Sequence, residues 1–282
     1  MNKTFDGIYV GGRWSSTGRT FSDYNPANDL VWAEVPDGGR LEVRAAIDAA
    51  QSAFSEWSSL QFNERAHYMI KIAEVFEKRR MDIVEALKAE GGGWFGKAMF
   101  ETGYVPEIFH AAAASNYAPI GEVIPSESGK LSMAMRRPMG VISCISPWNF
   151  PTLLTSRGIA FAISAGNTLV LKPSEETPYC GGLLFAEVFE EAGIPAGVIN
   201  VVTCSRDNVT QVGEELIENP LVKGISFTGS TAVGRQIGAL AGAHLKKCCL
   251  ELGGKDALIV CEDADMDRAT AAANFGSFMH QG

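Results

Sequence analysis

Polar residues follow predicted strands at four places in this sequence, and their types could bind a ligand and act on it chemically. The four segments are 147–151 (PWNFP), 171–175 (LKPSE), 227–234 (FTGSTAVG) and 250–255 (LELGGK). In open α/β sheets, ligands bind just beyond the carboxyl ends of the strands. These strand ends are therefore the first candidates for a functional site.

The segment 147–151 predicts a rigid turn. It follows the apolar run 141–145 (VISCI), which is typical of a buried strand, and a proline at each end restricts the backbone. The turn contains the amide side chain of Asn149 between two aromatic residues, Trp148 and Phe150. An alternative is a structural loop in which Asn149 bonds its own backbone. The residues of the turn alone leave both interpretations open.

A lysine and a glutamate stand three residues apart in 171–175. Lys172 and Glu175 lie at the tip of the predicted strand that contains 169–171 (LVL). An ammonium and a carboxylate there could clamp a ribose, because both can hydrogen-bond its hydroxyl groups. The alternative is a surface ion pair, which contributes little to stability.

The segment 227–234 runs from a predicted strand through a glycine-containing turn into a helix. This arrangement directs backbone N–H groups and the helix dipole at an anion. Gly229 and Gly234 match the dinucleotide fingerprint poorly, and the segment lacks the Gly-Lys-Ser/Thr ending of a P-loop, which argues against an ATPase or kinase. A dinucleotide pyrophosphate, with Ser230 as an extra donor, remains an interpretation beside an ordinary capped helix start.

Glu251 stands alone among apolar neighbours at a strand end. We expect its carboxylate to be partly desolvated, which would suit it to take a proton from water. The alternative is a structural glutamate paired with Lys255. Cys249 is not interpreted as a nucleophile, because residues two apart in a strand share a face but are displaced along it.

Composition excludes several classes of partner. The 282 residues carry a formal net charge of -9, which argues against nucleic acid and anionic membrane surfaces. The sequence contains no apolar run of about 18 residues or more that could span a bilayer. The N-terminus lacks the apolar region of a signal peptide, so we expect a cytoplasmic protein.

No metal site is predicted. The six cysteines form no CxxC pair and have no histidine at zinc-ligand spacing, so we expect reduced structural thiols. The segment 263–267 (DADMD) resembles a calcium loop, but Arg268 stands where glycine is needed and Asn274 where glutamate is needed. Helix capping by Asp263 or Asp265 is the better interpretation.

The pattern of elements predicts an α/β fold with a doubly wound parallel sheet. The N-terminal part, 8–35, is β-rich with a hairpin at Gly11 and Gly12, and apolar stripes predict helices over 43–57 and 69–87. Pro106 is expected to open or kink the next helix, and 121–137 predicts a two-stranded ribbon. Six strands are predicted in the second half: 141–145, 168–171, 198–202, 223–227, 247–250 and 257–260. Helices between them, such as 179–192 and 233–243, imply right-handed crossovers.

The four segments, in this order and at this spacing, resemble the aldehyde dehydrogenase superfamily. The resemblance implies a Rossmann-like NAD-binding domain, a β-ribbon oligomerisation arm and the start of a second α/β catalytic domain. The implied ranges are 1–119 and 140–250 for the NAD-binding domain, 120–139 for the oligomerisation hairpin, and 251–282 for the catalytic domain. A homodimer or homotetramer is expected.

The resemblance also implies site residues. Asn149 matches the donor of the oxyanion hole and Glu251 the general base. The residues that match cofactor contacts are Ile145, Trp148, Lys172, Glu175, Gly229, Ser230, Val233 and Gly234. Because the charge of Glu175 would repel a 2′-phosphate, NAD is expected rather than NADP.

The reaction implied by the resemblance is oxidation of an aldehyde to the acid. A cysteine thiolate attacks the aldehyde, Asn149 binds the oxyanion, hydride passes to the nicotinamide, and Glu251 activates water to hydrolyse the thioester. In family members the cysteine follows a segment like the one that ends at Gly282, so we expect this chain to be a fragment that lacks the nucleophile. The alternative is an NAD-binding fragment or homologue without catalytic activity.

An aromatic aldehyde is the expected substrate. The segment 94–100 is similar to members that act on benzaldehyde, vanillin or salicylaldehyde. Trp94 and Arg157 would suit an aromatic ring with a polar substituent. The alternative for Arg157 is a charge on the surface of a helix.

Overall fold

The computed structural model describes residues 3–5 and 7–280. Its strands are β1 (Lys3–Thr4), β2 (Ile8–Val10), β3 (Arg13–Ser15), β4 (Thr20–Asn25), β5 (Leu30–Pro36), β6 (Gly121–Ile124), β7 (Ser132–Met135), β8 (Val141–Ile145), β9 (Thr168–Lys172), β10 (Ile199–Val201), β11 (Val222–Gly229) and β12 (Lys247–Leu252). Its α-helices are α1 (Arg40–Ser59), α2 (Phe62–Lys78), α3 (Arg80–Gly91), α4 (Phe95–Ser115), α5 (Pro151–Ser164), α6 (Leu184–Glu191), α7 (Val209–Glu218), α8 (Thr231–Ala243) and α9 (Met266–Phe278). A π-helical turn, Tyr179–Leu183, precedes α6, and a 3₁₀ turn, Arg206–Asn208, precedes α7.

A seven-stranded sheet in the order β12-β11-β8-β9-β10-β2-β3 organises the chain. The strands from β12 to β10 are parallel, whereas the β2–β3 hairpin adds an antiparallel edge. Gly11 and Gly12 form the predicted turn of this hairpin with φ of 60° and 78°, a conformation that favours glycine. A separate sheet, β1-β5-β4, contains the other N-terminal strands.

Helices cover both faces of the parallel sheet, which confirms the doubly wound α/β prediction. Successive residues of β9 point to opposite faces, as the period of two requires. Leu169 and Leu171 belong to the larger core cluster, which includes side chains of α2 to α6. Val170 belongs to a second cluster with side chains of α1 and α7. The central strands are therefore buried on both sides, and only their ends are available for function.

The chain order of the sheet reverses between β8 and β11. The strands β9 and β10 continue from β8 on one side, and β11 and β12 continue on the other. In doubly wound sheets, ligands bind at the carboxyl ends of the strands beside such a reversal.

The predicted ribbon is confirmed as the hairpin β6–β7. Its apolar side chains are exposed, with relative exposures of 68% for Val123, 71% for Leu131 and 56% for Met133. A two-stranded ribbon is marginally stable alone, and the expectation that it packs on another part or subunit stays a prediction.

Two of the predicted elements are wrong, and one of the two alternatives for Pro106 is excluded. The stripe over 69–87 belongs to two helices separated at Arg79, whose side chain forms an ion pair with Glu187 on α6. Of the two alternatives for Pro106, opening a helix is excluded, because Pro106 lies inside α4, which begins at Phe95. The segment 257–260 is not a strand. No strand of the described residues pairs with it, and Ile259 is 84% exposed.

None of the helices in 3–5 and 7–280 has the length and apolar character needed to span a bilayer.

Candidate active site

A row of paired residues crosses four adjacent parallel strands. The row consists of Lys172, Ile145, Phe227 and Leu250. The candidate polar residues that follow members of the row within four positions are Glu175, Asn149, Ser230 and Glu251. Because the carboxyl ends of parallel strands lie at one edge of a sheet, this register brings all four predicted segments to the same edge.

The turn at 147–151 leads directly into α5. Pro151 is the first residue of the helix, and the Leu154 N–H donates to the Phe150 carbonyl oxygen at 2.8 Å. Asn149 is half-buried, and its Oδ1 atom is buried without a hydrogen-bond partner among residues 3–5 and 7–280. The alternative that Asn149 bonds its own backbone is therefore wrong. Its Oδ1 atom can therefore still accept a hydrogen bond.

Aromatic rings border this turn. The ring of His280 lies 5.6 Å from that of Trp148 and 4.9 Å from that of Phe150, centroid to centroid. Burial lowers the pKa of His280, and the positive charge of Lys97 lowers it further. Trp148 itself is 53% exposed, so one face of its indole remains accessible.

Glu101 of α4 holds the start of α5, a role that the sequence analysis did not predict. Its Oε1 accepts hydrogen bonds from the backbone N–H groups of Thr152 (2.7 Å) and Leu153 (3.1 Å). Lys97, one helical turn earlier, lies 3.7 Å from Glu101 Oε2 and 4.7 Å from the ring centroid of Phe150. Burial raises the pKa of Glu101 and lowers the pKa of Lys97, and the two opposite charges counteract these shifts. The i,i+4 spacing of the pair was visible in the sequence, but its contact with α5 was not.

Lys172 and Glu175 form the predicted pair at the tip of β9. Lys172 Nζ lies 3.2 Å from Glu175 Oε2, and Lys172 is only 5% exposed, so this is not a surface ion pair. Burial is the largest single effect on the pKa of Glu175 and acts to raise it, but the charge of Lys172, hydrogen bonding and the charge of Arg206 together lower the pKa below its ordinary value. Arg206 Nη2 lies 3.5 Å from Glu175 Oε1 and adds a second positive charge. Glu175 is therefore a carboxylate beside two cations.

A cavity of about 320 Å³ adjoins this pair. Its lining consists of residues 21–24 of β4, Glu175, Glu176 and residues 205–207. The Glu175 carboxylate is thus accessible from a concave surface. Pockets of this kind can enclose part of a small ligand.

The turn at 229–234 confirms the helix start predicted there. Ser230 is the N-cap of α8, and its Oγ accepts a hydrogen bond from the Val233 N–H at 3.3 Å. A Cβ on Gly234 would lie 2.3 Å from Leu252 Cδ2, so this glycine permits close approach of α8 to β12. The N-terminus of α8 points to the same sheet edge as the other segments. The capped helix start and an anion-binding role are compatible, since the Ser230 hydroxyl can still donate.

Glu251 lies within β12 and pairs with Thr228 of β11. The expectation of partial desolvation is wrong, because Glu251 is exposed. No ion pair joins Glu251 to Lys255 among the described residues, so the structural alternative is not found either. Apolar sequence neighbours do not desolvate an edge-strand residue when no other part of the chain covers it.

The two predicted substrate residues differ in their surroundings. Trp94 is the N-cap residue of α4, is 53% exposed, and donates from Nε1 to the Met279 carbonyl oxygen at 2.9 Å. It stands one turn before Lys97 and therefore lies at the same end of α4 as the Asn149 turn. Arg157 lies on α5, is exposed, and forms no ion pair with the described residues. The structure does not bring Arg157 into contact with Asn149.

The cysteines form no disulfide in the described part of the chain. Cys144, Cys180 and Cys204 are buried, and burial raises the pKa of each thiol. Cys249 and Cys261 are exposed. No group of three or more His, Cys, Asp or Glu side chains within 3–5 and 7–280 is arranged to bind a metal ion.

Comparison with known proteins connects this geometry to a family. The sequence model described as "Aldehyde dehydrogenase family" matches residues 14–282. A vanillin dehydrogenase of an Amycolatopsis species is 41% identical over 275 residues, which are 98% of this chain and 56% of the relative.

Solved structures give the same result. A salicylaldehyde dehydrogenase of Pseudomonas putida G7, complexed with salicylaldehyde, superposes with a TM-score of 0.96 at 36% identity, covering 100% of this chain and 58% of that one. An NAD-dependent benzaldehyde dehydrogenase of Corynebacterium glutamicum gives a TM-score of 0.92 at 38% identity, covering 98% of this chain and 59% of that one. The chain thus spans somewhat more than half the length of the proteins it matches.

Proposed function

Because the chain belongs to the aldehyde dehydrogenase family, we propose that the complete protein oxidises an aldehyde to the carboxylic acid with a nicotinamide cofactor. The observation that carries the proposal is the register row Lys172–Ile145–Phe227–Leu250, which gathers the four polar segments at one edge of the sheet. Each segment supplies a different requirement of this reaction.

The cofactor-binding residues fit a dinucleotide. The buried Lys172 and the accessible Glu175 carboxylate can bond the hydroxyl groups of the adenosine ribose. The N-terminus of α8, with Gly229, Ser230 and Val233, offers N–H groups and a dipole to the pyrophosphate. Ile145, Trp148 and Gly234 complete the proposed binding surface. When bound, the nicotinamide accepts a hydride from the substrate.

We favour NAD over NADP because the Glu175 carboxylate would repel a 2′-phosphate. Arg206 reduces this preference, since its guanidinium lies 3.5 Å from the same carboxylate. Arg206 is also exposed and could turn toward a phosphate. The expected outcome is a preference for NAD with measurable use of NADP.

Asn149 is proposed as the oxyanion donor of a cysteine mechanism in the complete protein. Its Oδ1 atom has no hydrogen-bond partner among the described residues, and the Nδ2–H groups of the same amide are donors of the kind that an oxyanion needs. One such donor contributes a factor of about 10²–10³ in rate. Glu251 is proposed as the base that activates water in the hydrolysis step. Glu251 is exposed in β12, so water can reach it. This access to water, and not desolvation of the carboxylate, supports the proposed role.

The proposed substrate is an aromatic aldehyde. The exposed indoles of Trp94 and Trp148 both lie near the Asn149 turn and offer apolar surface to a ring. The printed names of the vanillin and salicylaldehyde dehydrogenase relatives support the same class. Arg157 is kept as a proposed contact for a polar substituent, although its exposed position agrees equally with a surface charge.

The domain division and subunit contacts are also proposals. The exposed apolar ribbon β6–β7 supports an arm, 120–139, that joins subunits of a homodimer or homotetramer. We propose that 1–119 and 140–250 form the cofactor domain and that 251–282 begin the catalytic domain. Since β12 continues to Leu252, the boundary falls at the end of a strand of the cofactor domain.

A steady-state assay tests the proposal. The complete protein is incubated with benzaldehyde or propanal and with NAD or NADP, and formation of the reduced cofactor is followed. We expect faster turnover with benzaldehyde and with NAD. Absence of cofactor reduction with both aldehydes would refute the activity, and a strong preference for propanal would refute the aromatic class. Calorimetric binding of NAD without turnover would support the alternative of a binding protein without catalysis.

A further inference from the structure

The first turn of α5 lacks an N-cap of its own. Phe150 occupies the N-cap position and has no side-chain acceptor, while Pro151 has no N–H. The Leu154 N–H bonds to the Phe150 carbonyl oxygen. The remaining N–H groups of this turn, those of Thr152 and Leu153, both donate to Glu101 Oε1. A side chain from another helix, 51 residues earlier in the chain, thus completes the cap.

Burying the Glu101 carboxyl group to cap this helix has a cost in folding free energy. Glu101 is 0% exposed, and its Oε2 atom has no hydrogen-bond partner among residues 3–5 and 7–280. The nearest compensation is Lys97, itself only 2% exposed, at 3.7 Å. Burying an ion pair costs more than an apolar pair of the same size in many proteins, so stability alone is a weak reason for its presence.

The same lysine contacts the turn from a second direction. Lys97 Nζ lies 4.7 Å from the centroid of the Phe150 ring, a cation–π distance. Glu101 therefore fixes the residues after Asn149 through the backbone, and Lys97 fixes the ring of the residue next to Asn149. Both side chains come from one helix, α4. This helix therefore holds the turn at the end where the turn enters α5.

We propose that Glu101, supported by Lys97, is a positioning residue that sets the placement of Asn149 for the reaction. This inference rests on the proposed function, since placement matters only if Asn149 acts on a substrate. A misplacement of about 1 Å can lower the rate of a positioned reaction about 10²-fold. The effect of Glu101 is expected to pass through Asn149.

Glu90 supplies a matched control. It is 1% exposed, and its carboxylate accepts hydrogen bonds from the N–H groups of Tyr179 (2.6 Å) and Cys180 (2.8 Å). It therefore caps the π-helical turn as Glu101 caps α5, but it has no hydrogen bond to 147–153. Glu90→Gln and Glu101→Gln each weaken a carboxylate cap on two backbone N–H groups, but only Glu101→Gln should change catalysis.

The test is a double-mutant cycle in the complete protein. We expect Glu101→Gln to lower kcat about tenfold or more while KM for NAD stays within about twofold. In the Asn149→Ala background, Glu101→Gln should lower kcat by less than about threefold, because the residue it positions is gone. An unchanged kcat in the single variant, or an equal loss in both backgrounds, would overturn the proposal. If Glu101→Gln does not fold, Glu101→Asp replaces it, since it keeps the charge and shortens the side chain by one methylene. The same changes in kcat are expected for Glu101→Asp in the wild-type and Asn149→Ala backgrounds.

Hydrogen exchange separates this inference from the proposed function. The amides of Thr152 and Leu153 should exchange at least about tenfold faster in Glu101→Gln than in the wild type, and at the wild-type rate in Glu90→Gln. If the wild-type protein oxidises no aldehyde, the proposed function fails. Exchange then still decides whether Glu101 holds the turn, and equal exchange in both variants would overturn that role.

Discussion

Ile145 of β8 and Phe227 of β11 are paired residues, and their pair marks the reversal of chain order in the parallel sheet. Connections on the two sides of such a reversal leave the sheet in opposite directions, which opens a crevice at the strand ends. The Asn149 turn follows one member of the pair, and the Ser230 turn follows the other. The proposed reaction centre and the proposed pyrophosphate site therefore border one crevice.

Glu175→Gln is expected to shift cofactor preference toward NADP. The substitution removes a negative charge from the proposed ribose site but keeps a hydrogen-bonding side chain. We expect the ratio of kcat/KM for NADP to that for NAD to rise about tenfold, which corresponds to about 1.4 kcal/mol. The measurement is steady-state kinetics of the complete protein with each cofactor.

Arg206→Ala is expected to shift the same ratio in the opposite direction. Its guanidinium, 3.5 Å from Glu175, partly neutralises the carboxylate and could attract a 2′-phosphate. We expect the relative efficiency with NADP to fall while NAD use changes little. Arg235→Ala, on α8 and without an ion pair among the described residues, is the control for loss of a surface charge. An equal effect of both variants would contradict the role of Arg206.

Lys97→Met is expected to destabilise the protein strongly. The substitution leaves the buried Glu101 carboxylate without its counter-charge, a change that costs about 3–5 kcal/mol of unfolding free energy. Adding Glu101→Gln should recover part of this loss, since the buried group becomes neutral. Urea unfolding of the complete protein measures both effects.

Lys88→Met is the matched control for this lysine. Lys88 pairs with Glu85 at 2.8 Å, but both side chains are more than a third exposed. Loss of such a pair changes stability by about 1 kcal/mol or less. If Lys97→Met lowers the free energy of unfolding no more than Lys88→Met does, Lys97 and Glu101 do not act as a buried ion pair.

Asp23→Asn is expected to change the pH dependence of stability. Burial, together with the neighbouring charges of Glu90 and Glu176, raises the pKa of Asp23 to about 9. A raised carboxyl pKa means that the folded state binds the proton more tightly than the unfolded state. This contribution to stability is complete below the ordinary carboxyl pKa and is lost as pH rises toward about 9.

The melting temperature of the wild type should therefore fall more steeply than that of Asp23→Asn between about pH 5 and pH 9. The amide mimics the protonated acid and can still donate to Glu90. Thermal unfolding at several pH values measures the difference. Parallel curves for the two proteins would show that Asp23 does not hold a proton in the folded state.

The sequence predicted the sheet and the strand ends well because both depend on local patterns. Apolar runs such as 141–145 and glycines such as Gly11 and Gly12 fix strands and turns within a few residues. The ends of the parallel strands then had to share one edge. The sequence did not show which residues of neighbouring strands are paired. The row of paired residues Lys172, Ile145, Phe227 and Leu250 supplies this information.

The failures have a common physical cause, because local patterns do not show whether a distant part of the chain contacts a residue or leaves it exposed. The stripe over 69–87 keeps its helical phase across Arg79, whose ion pair with Glu187 lies outside the pattern. Glu251 has apolar sequence neighbours but is exposed in the fold. The contact of Glu101 with Thr152 spans 51 positions, and no local pattern predicts it.

The central claim is that Asn149 stabilises a developing oxyanion in aldehyde oxidation, and one comparison tests it most directly. Steady-state oxidation of benzaldehyde is measured for the complete wild-type protein and for Asn149→Ala, with Asn116→Ala at the C-terminus of α4 as a control away from the turn. We predict that kcat falls about 10²–10³-fold for Asn149→Ala, with little change in KM for NAD, and that Asn116→Ala retains the wild-type kcat. Equal values of kcat for the wild type and Asn149→Ala would contradict the account.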